Sequence, residues 1–425
     1  MATFTPAGWT HTTNIYEVNL RQYTIEGTFN AFAKELPRLA DMGVETLWFM
    51  PIHPISVLDR KGTLGSYYAV QNYTATNSEF GSIEDFKTLV REAHQLGLKV
   101  IIDWVANHSG NDNVWIAQHP GYFVRDAGGN IMHPYDWEDV SKINYDSEDL
   151  RKAMIEAMQF WITNCDIDGF RCDMAHLVPL SFWEEARTVL DQVKSELFWL
   201  AETEDISYHF VFDASYTWEW MHKTEDYCKC ATDMGGLWSV LNKYKDSFPS
   251  AAYRVYYTSN HDENSHTGTE YDKFGDAAHA LAVFSCTWNG IPMLYSGQEL
   301  PNLKKLAFFD KDVIEWNGKY ELQNFYKTLL SLHKNNPALR TSDPFAITIN
   351  LQTDRAWQVM AYLRTYGDKE VLVILNLSPE YFWAEVTDID LSGKFTNVFS
   401  GTEYDFSSNK FFELLPWGYL VYEKK

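Results

Sequence analysis

Four stretches of the chain place acids, histidines or an arginine directly after apolar runs. "VIIDWVANH" carries Asp103, Asn107 and His108, "GFRCD" carries Arg171 and Asp173, "FWLAETE" carries Glu202, and "VYYTSNHDEN" carries His261 and Asp262. Arg171 and Asp173 are two residues apart, so on a strand both side chains leave one face while Phe170 and Cys172 leave the other. A guanidinium beside a carboxylate favours the ionised form, which is the form a nucleophile needs. Glu202 follows an apolar run, and partial desolvation with nearby negative charge raises a glutamate's pKa, which suits a general acid. Two carboxyl groups on adjacent strands stand about 5 Å apart, the separation that selects double displacement with retention at a sugar anomeric carbon.

Each feature alone has an ordinary explanation. Asp168-Gly169 reads as a turn, an Arg-x-Asp pair is commonly a structural ion pair, and a lone His108 or His261 is commonly a hydrogen-bonded core residue. Burying such groups inside a strand costs several kcal/mol, so their joint recurrence at four strand ends asks for a common purpose. Among the aromatic residues, Tyr67, Tyr68, Trp104, Trp137 and Trp218 have faces that suit sugar stacking, though packing alone explains most such residues.

The elements that would hold these groups alternate in type. "NIYEVNL" reads as a strand, "TFNAFAKELPRLADMG" as a helix stopped at Gly43, "ETLWFMPI" as a strand, and "SIEDFKTLVREAHQLG" as a helix capped by Ser82 and ended at Gly97. "LKVIIDWVANH" is a third strand, and further strands are expected near 169–173, 197–202, 209–213, 254–259 and 292–296. Eight such units predict an α/β fold, a (β/α)8 TIM barrel, over 1–106 and 147–345. An open doubly wound sheet would place a Gly-rich phosphate turn after its first strand, and the sequence has none there. Residues 107–146 are too long for an ordinary connection and are expected to form a small inserted domain after strand three. From 346 to 425, short β-rich runs between Gly, Asp and Ser-Pro turns predict a C-terminal antiparallel β-sandwich domain.

Charge narrows the partners. Asp and Glu number 58 against 35 Lys and Arg, a net of -23, and such a surface repels nucleic acid. The most apolar later segment, "HALAVFSCTWNGIPMLYSG", is interrupted by Asn289, Gly290 and Pro292 and reads as core, so no membrane partner is expected. Five cysteines, an odd number, argue against a disulfide framework, and the lone Cys228-x-Cys230 lacks further ligands for a metal. With no secretory leader visible in "MATFTPAGWT", the expected location is cytoplasmic, or secreted or periplasmic where a signal was removed. Oligomeric state is left open.

In this order, "DWVANH", "GFRCD", "LAET" and "TSNHDE" resemble the four conserved regions of the α-amylase family of glycoside hydrolases, and "GSYYAVQNYTATNSEFGS" and "GIPMLYSGQE" are similar to that family's flanking segments. The resemblance implies a retaining enzyme acting on α-1,4-linked glucans, such as starch or maltooligosaccharides, by hydrolysis or by transglycosylation on the same scaffold. The alternative is a catalytically silent carbohydrate-binding protein. It implies Asp173 as nucleophile, Glu202 as general acid/base and Asp262 as the third acid, which holds sugar hydroxyls. It also implies that His108 and His261 bond the sugar, that Arg171 positions Asp173, that Tyr67 stacks under the ring and that Asp103 supports the site. His176 is the one residue near the family's Lys-His pair on the product side.

The chemistry needs no cofactor. A structural calcium is implied through Asn107 and an inserted-domain acid, but Lys142 stands at the position aligned with that acid. Asp139 remains as a donor, and the metal is left open.

Overall fold

A computed structural model describes residues 4–389, 391–407 and 410–424. In chain order the first ten strands are β1 (Ile15–Val18), β2 (Thr46–Phe49), β3 (Lys99–Trp104), β4 (His108–Gly110), β5 (Val140–Lys142), β6 (Gly169–Cys172), β7 (Phe198–Ala201), β8 (Ala214–Tyr216), β9 (Tyr253–Tyr256) and β10 (Ile291–Tyr295). Eight of them close into a parallel barrel in the order β1-β2-β3-β6-β7-β8-β9-β10, while β4 and β5 pair antiparallel in the segment that follows β3. The barrel strands are buried along their length except at Lys99, the first residue of β3, as strands covered by helices must be. Their register sets Asp103 directly beside Arg171 across the β3–β6 pair.

Local chemistry explains most element boundaries. The helix Ile83–Gln95 begins in a capping box, with the Ser82 side chain accepting from the Asp85 amide and Asp85 returning the bond. The predicted helix before β2 is broken into Phe29–Phe32, a 3-10 turn at Ala33–Glu35, and Leu36–Met42. Pro37 has no amide hydrogen to give, so the continuous ladder stops there. The strand expected near 209–213 lies instead at Ala214–Tyr216, because Ile206–Phe210 is a 3-10 turn capped by Asp205. Asp213 then turns back, accepting from the Trp199 amide at 2.9 Å and pairing with Arg187 at 2.8 Å.

Asp168 does more than make a turn. Its buried carboxylate accepts from His94 at 2.7 Å, Val100 N at 2.9 Å, and Lys99 and Lys194 each at 3.1 Å. Burial opposes the charge, but the His94 bond and the Lys194 charge outweigh it and hold the carboxyl down at about 2, from 3.8. A depressed acid contributes stability above its unfolded pKa and loses it as pH falls through the folded value. Asp168→Asn is therefore expected to cost about 2 kcal/mol at pH 7, narrowing to about half at pH 3, as read by urea unfolding. Gly169 next to it allows β6 and β7 to approach, since a Cβ there would run into the Phe198 backbone.

Beyond the barrel lie β11 (Ile347–Leu351), β12 (Val359–Tyr366), β13 (Lys369–Asn376), β14 (Phe382–Glu385), β15 (Lys394–Asn397), β16 (Glu403–Asp405), β17 (Phe411–Leu414) and β18 (Tyr419–Lys424). The antiparallel sheet β11-β12-β13-β18-β15-β16 packs against the pair β14-β17 across a core that includes Ile374, Phe382, Phe395, Phe406 and Phe412. Tyr362 ties this domain to the barrel through a 2.6 Å bond with Thr287. The five cysteines are free thiols, and among the described residues no helix is long and apolar enough to cross a membrane.

Candidate active site

Arg171 organises the mouth of the barrel. Its side chain is 0% exposed, and its guanidinium sits among the rings of Trp48, Tyr216 and Tyr68 at 4.9, 5.5 and 5.9 Å. Nη1 donates to Asp103 Oδ1 at 2.9 Å and to Asp173 Oδ1 at 3.0 Å, and Nη2 lies 2.9 Å from Glu202 Oε2. One cation thus gathers acids from the ends of β3, β6 and β7. Asp173 and Glu202 lie against different nitrogens of the same guanidinium.

The two acids are not equivalent. Glu202 Oε2 also accepts from the Met174 amide at 2.7 Å, which is aimed at it by a left-handed turn at Met174 with φ 42°. Asp173 uses Oδ1 for Arg171, and its buried Oδ2 has no partner among the described residues. That oxygen is the free electron pair of the site.

Burial is the dominant electrostatic influence. It pushes Asp173 up to about 7 against the pull of Arg171, with the charges of Asp103 and Asp262 adding to the rise. It also pushes Glu202 up to about 7, again against Arg171 and with help from Asp173 and Asp262. Asp103 is raised to about 6. The guanidinium therefore does not by itself keep Asp173 in the ordinary carboxylate range, as its position two residues away suggested. The acids together hold more negative charge than Arg171 balances, so they retain a shared proton near neutral pH. One protonated and one ionised carboxyl is the state that acid and nucleophile chemistry require.

A second group surrounds His261. Its Nδ1 lies 2.5 Å from Glu17 Oε1, and its Nε2 lies 2.7 Å from the Tyr68 hydroxyl and 3.4 Å from Asp262 Oδ2. The Tyr68 hydroxyl donates to Asp103 Oδ2 at 3.1 Å, which joins the two groups. The Asp262 side chain is 44% exposed at the open end, and its charge reaches both Asp173 and Glu202. The three acids singled out in the sequence therefore meet in one place.

The aromatic assignment shifts by one residue. Tyr67 is 1% exposed and faces away from the acids, with its hydroxyl donating to Asn19 at 3.0 Å and Arg21 stacked over its ring at 4.2 Å. Tyr68, 8% exposed, is the ring beside the acids, clustered with His261 and Phe308 at interplanar angles of 21° and 12°. His108 accepts at Nδ1 from Asn107 at 3.1 Å and meets Trp137 edge-on, and burial lowers it to about 4, so it is neutral at pH 7. His176 is exposed on the turn after β6, edge-on to Trp218 at 6.4 Å, which puts it at the rim. Trp104 is fully buried and is a packing residue.

Comparison with known proteins gives this arrangement its context. The family described as "Alpha amylase, catalytic domain" matches residues 8–123 and 130–346. The chain belongs to the α-amylase family. It is 27% identical over 400 residues to alpha-amylase MalA of Haloarcula japonica, covering 88% of this chain and 56% of that protein. It is also 25% identical over 445 residues to an alpha-1,4-glucan:maltose-1-phosphate maltosyltransferase of Corynebacterium glutamicum, covering 92% and 63%. The chain thus spans less than two thirds of the length of either relative. Among solved structures, the noncanonic maltogenic alpha-amylase AmyB from Thermotoga neapolitana superposes with a TM-score of 0.86 at 29% identity, covering 97% of this chain and 96% of that one. An alpha-amylase from Lactobacillus plantarum superposes with a TM-score of 0.88 at 26% identity, covering 98% and 99%.

The α-amylase family resemblance implies a calcium held by Asn107, an inserted-domain acid and backbone carbonyls. Asn107 gives its side-chain amide to His108, Asp139 is paired with Lys61 at 2.7 Å, and Lys142 is an exposed residue opposite His108 on the β4–β5 pair. Among the described residues no cluster of three or more His, Cys, Asp or Glu is arranged to hold a metal. Reading the motifs of this α-amylase family member also passes over Glu17 and Phe308. Glu17 is the single acid within the apolar run "IYEV" of a barrel strand, and that mismatch was the available signal. Phe308 comes from an irregular loop, where no periodicity marks it.

Proposed function

We propose that this protein hydrolyses α-1,4-glucosidic bonds in starch-like glucans or maltooligosaccharides by double displacement with retention. The reading rests on one observation above all: Asp173 and Glu202 are gathered on the one Arg171 guanidinium, and Asp173 Oδ2 has no partner among the described residues. Glu202 gives its proton to the glycosidic oxygen as the C1–O bond breaks, while Asp173 Oδ2 bonds to C1 and forms a covalent glycosyl-enzyme. After the leaving chain departs, the Glu202 carboxylate takes a proton from water, the water oxygen bonds to C1, and the bond to Asp173 breaks. Both carboxyl groups return to their starting states.

The supporting roles follow from position. Asp262, at the open end, accepts sugar hydroxyls, and His108 and His261 bond the sugar in the cleaved subsite. Tyr68 takes the stacking place assigned in the sequence to Tyr67. Arg171 holds Asp173 and Asp103 in line. His176, exposed at the rim, meets the chain beyond the cleaved bond. No step calls for a cofactor.

Transfer of a maltosyl group between maltose 1-phosphate and a glucan, the activity named for the maltosyltransferase relatives, needs a cation for the phosphate. The two buried cations at the site, Arg171 and His261, are committed to Asp103, Asp173, Glu202, Glu17 and Asp262. This favours a glucan over maltose 1-phosphate as the donor. Maltoheptaose incubated with and without inorganic phosphate tests the point: equal release of reducing ends and no maltose 1-phosphate is expected. Product that depends on phosphate would replace hydrolysis with transfer.

A further inference from the structure

Glu17 has no part in the mechanism above, yet it is a 0% exposed acid in the middle of β1 that points at the site. Its Oε1 accepts from the His261 main-chain amide at 3.4 Å and lies 2.5 Å from His261 Nδ1. The hydrogen-bond partners around the imidazole favour one placement of its protons. The Tyr68 hydroxyl has one hydrogen and two acceptors within reach, Asp103 Oδ2 at 3.1 Å and His261 Nε2 at 2.7 Å, and the charged Asp103 oxygen is the stronger of the two. With that hydrogen on Asp103 the hydroxyl can only accept, and the 2.7 Å contact is then an N–H donated by His261 Nε2. At the other edge, Glu17 Oε1 accepts the main-chain N–H and faces Nδ1 with its remaining lone pair, so Nδ1 donates to it; burial raises Glu17, and the charge and hydrogen bond of His261 oppose that rise. Both ring nitrogens then carry hydrogen.

We propose that Glu17 is a positioning residue that keeps His261 doubly protonated, so that the Tyr68 hydroxyl stays committed to Asp103 and a cationic ring edge faces Asp262 at the sugar site. The inference rests on the glycosidase reading for its functional meaning, though not for its geometry. Its physical basis is a charge relay of fixed order, Glu17–His261–Tyr68–Asp103–Arg171–Asp173, running from the first barrel strand to the nucleophile's guanidinium partner. The groups facing the imidazole from each packed element are Glu17 on β1, Asp262 beside it, Tyr68 with Asp103 behind it, and Arg171 on β6. Trp48 on β2 contributes an apolar edge at 5.9 Å. Burial and Arg171 disfavour the imidazolium, and Asp262 and Glu17 outweigh them, holding it up to about 9. Without Glu17, one of the two supporting acids is gone and the ring is left with its burial penalty. The relay then loses the hydrogen on Nε2 or on Nδ1, and the Tyr68 hydroxyl is free to turn from Asp103 to the imidazole.

Two readouts test this. Imidazole ¹⁵N resonances of the full chain, with His261 identified as the signal missing in His261→Gln, report the proton count directly. The wild type at pH 7 is expected to show both ring nitrogens protonated, and Glu17→Gln a neutral ring titrating more than one pH unit lower. Kinetics on α-maltosyl fluoride, whose leaving group takes no proton from Glu202, should show the alkaline limb of kcat/KM moving down by more than one pH unit in Glu17→Gln, with activity near the wild-type level at pH 5.5. A neutral His261 in the wild type overturns the proposal, as does an alkaline limb that stays in place. If Glu17→Gln fails to fold, the wild-type resonance and the alkaline limb of Glu17→Asp still decide. A protonated His261 in a protein that cleaves no glucan would instead overturn the functional reading and leave this inference standing.

Discussion

Asp173→Asn is expected to lower kcat on maltooligosaccharides by about 10,000-fold or more, roughly 5–6 kcal/mol of transition-state stabilisation. The melting temperature should change little. Asp173 is one of three buried carboxyls that share Arg171, and burial already pushes it up, so an uncharged isostere removes repulsion along with the ion pair. Glu202→Gln should lose comparably on glucans but much less in the first step with a glycosyl fluoride, because fluoride leaves without a proton. The two roles also separate by stereochemistry when small side chains admit azide. In Glu202→Ala, azide enters on the face where the base stood and yields the α-azide. In Asp173→Ala, acting on a fluoride, it enters from the opposite face and yields the β-azide. Exchange of these outcomes would reverse the assignment of nucleophile and acid.

Arg171→Met is expected to damage both folding and turnover. Removing the one cation that reaches Asp103, Asp173 and Glu202 leaves buried carboxyls without compensation, a change that typically costs about 3–5 kcal/mol. The pH dependence has a definite sign. Carboxyls whose folded pKa values lie above the unfolded ones bind more protons when folded, so their destabilising effect grows as pH rises. With Arg171 present, burial already holds Asp103 at about 6 and Glu202 at about 7, and losing the cation raises both further. The unfolding deficit of the variant should therefore be largest at alkaline pH and shrink toward pH 5. Asp103→Asn introduced with Arg171→Met should recover part of it, since the two residues share one network. A deficit independent of pH would mean that Arg171 acts by packing among Trp48, Tyr68 and Tyr216 alone.

The sequence was legible wherever a periodicity applied. Arg171 and Asp173 share a face because strand side chains alternate, and the structure places Asp103 and Asp173 together on Nη1 of that one guanidinium. Glu202 and Asp262 were found because polar groups at the ends of apolar runs mark the open face of a parallel barrel. Legibility failed where periodicity was lacking. Tyr67 and Tyr68 are neighbours in an irregular segment, and nothing local tells which ring faces the acids; the contacts that decide it, Asn19 for one and Asp103 with His261 for the other, are distant in sequence. β8 was displaced because "YHFVFDASY" is apolar throughout most of its length, and the Asp205 cap and the Asp213–Arg187 pair choose between two adjacent runs. The environment of Asp173 was misjudged because sequence shows its charged neighbour but not how completely the site is desolvated.

The central claim is that bond cleavage passes through a covalent bond to Asp173. Following the anomeric proton signals of the first product released from maltoheptaose, before mutarotation equilibrates them, tests it most directly. The α anomer should appear first and decay toward the equilibrium mixture. Initial appearance of the β anomer would mean a single displacement by water, and would contradict Asp173 as nucleophile and Glu202 as acid and base.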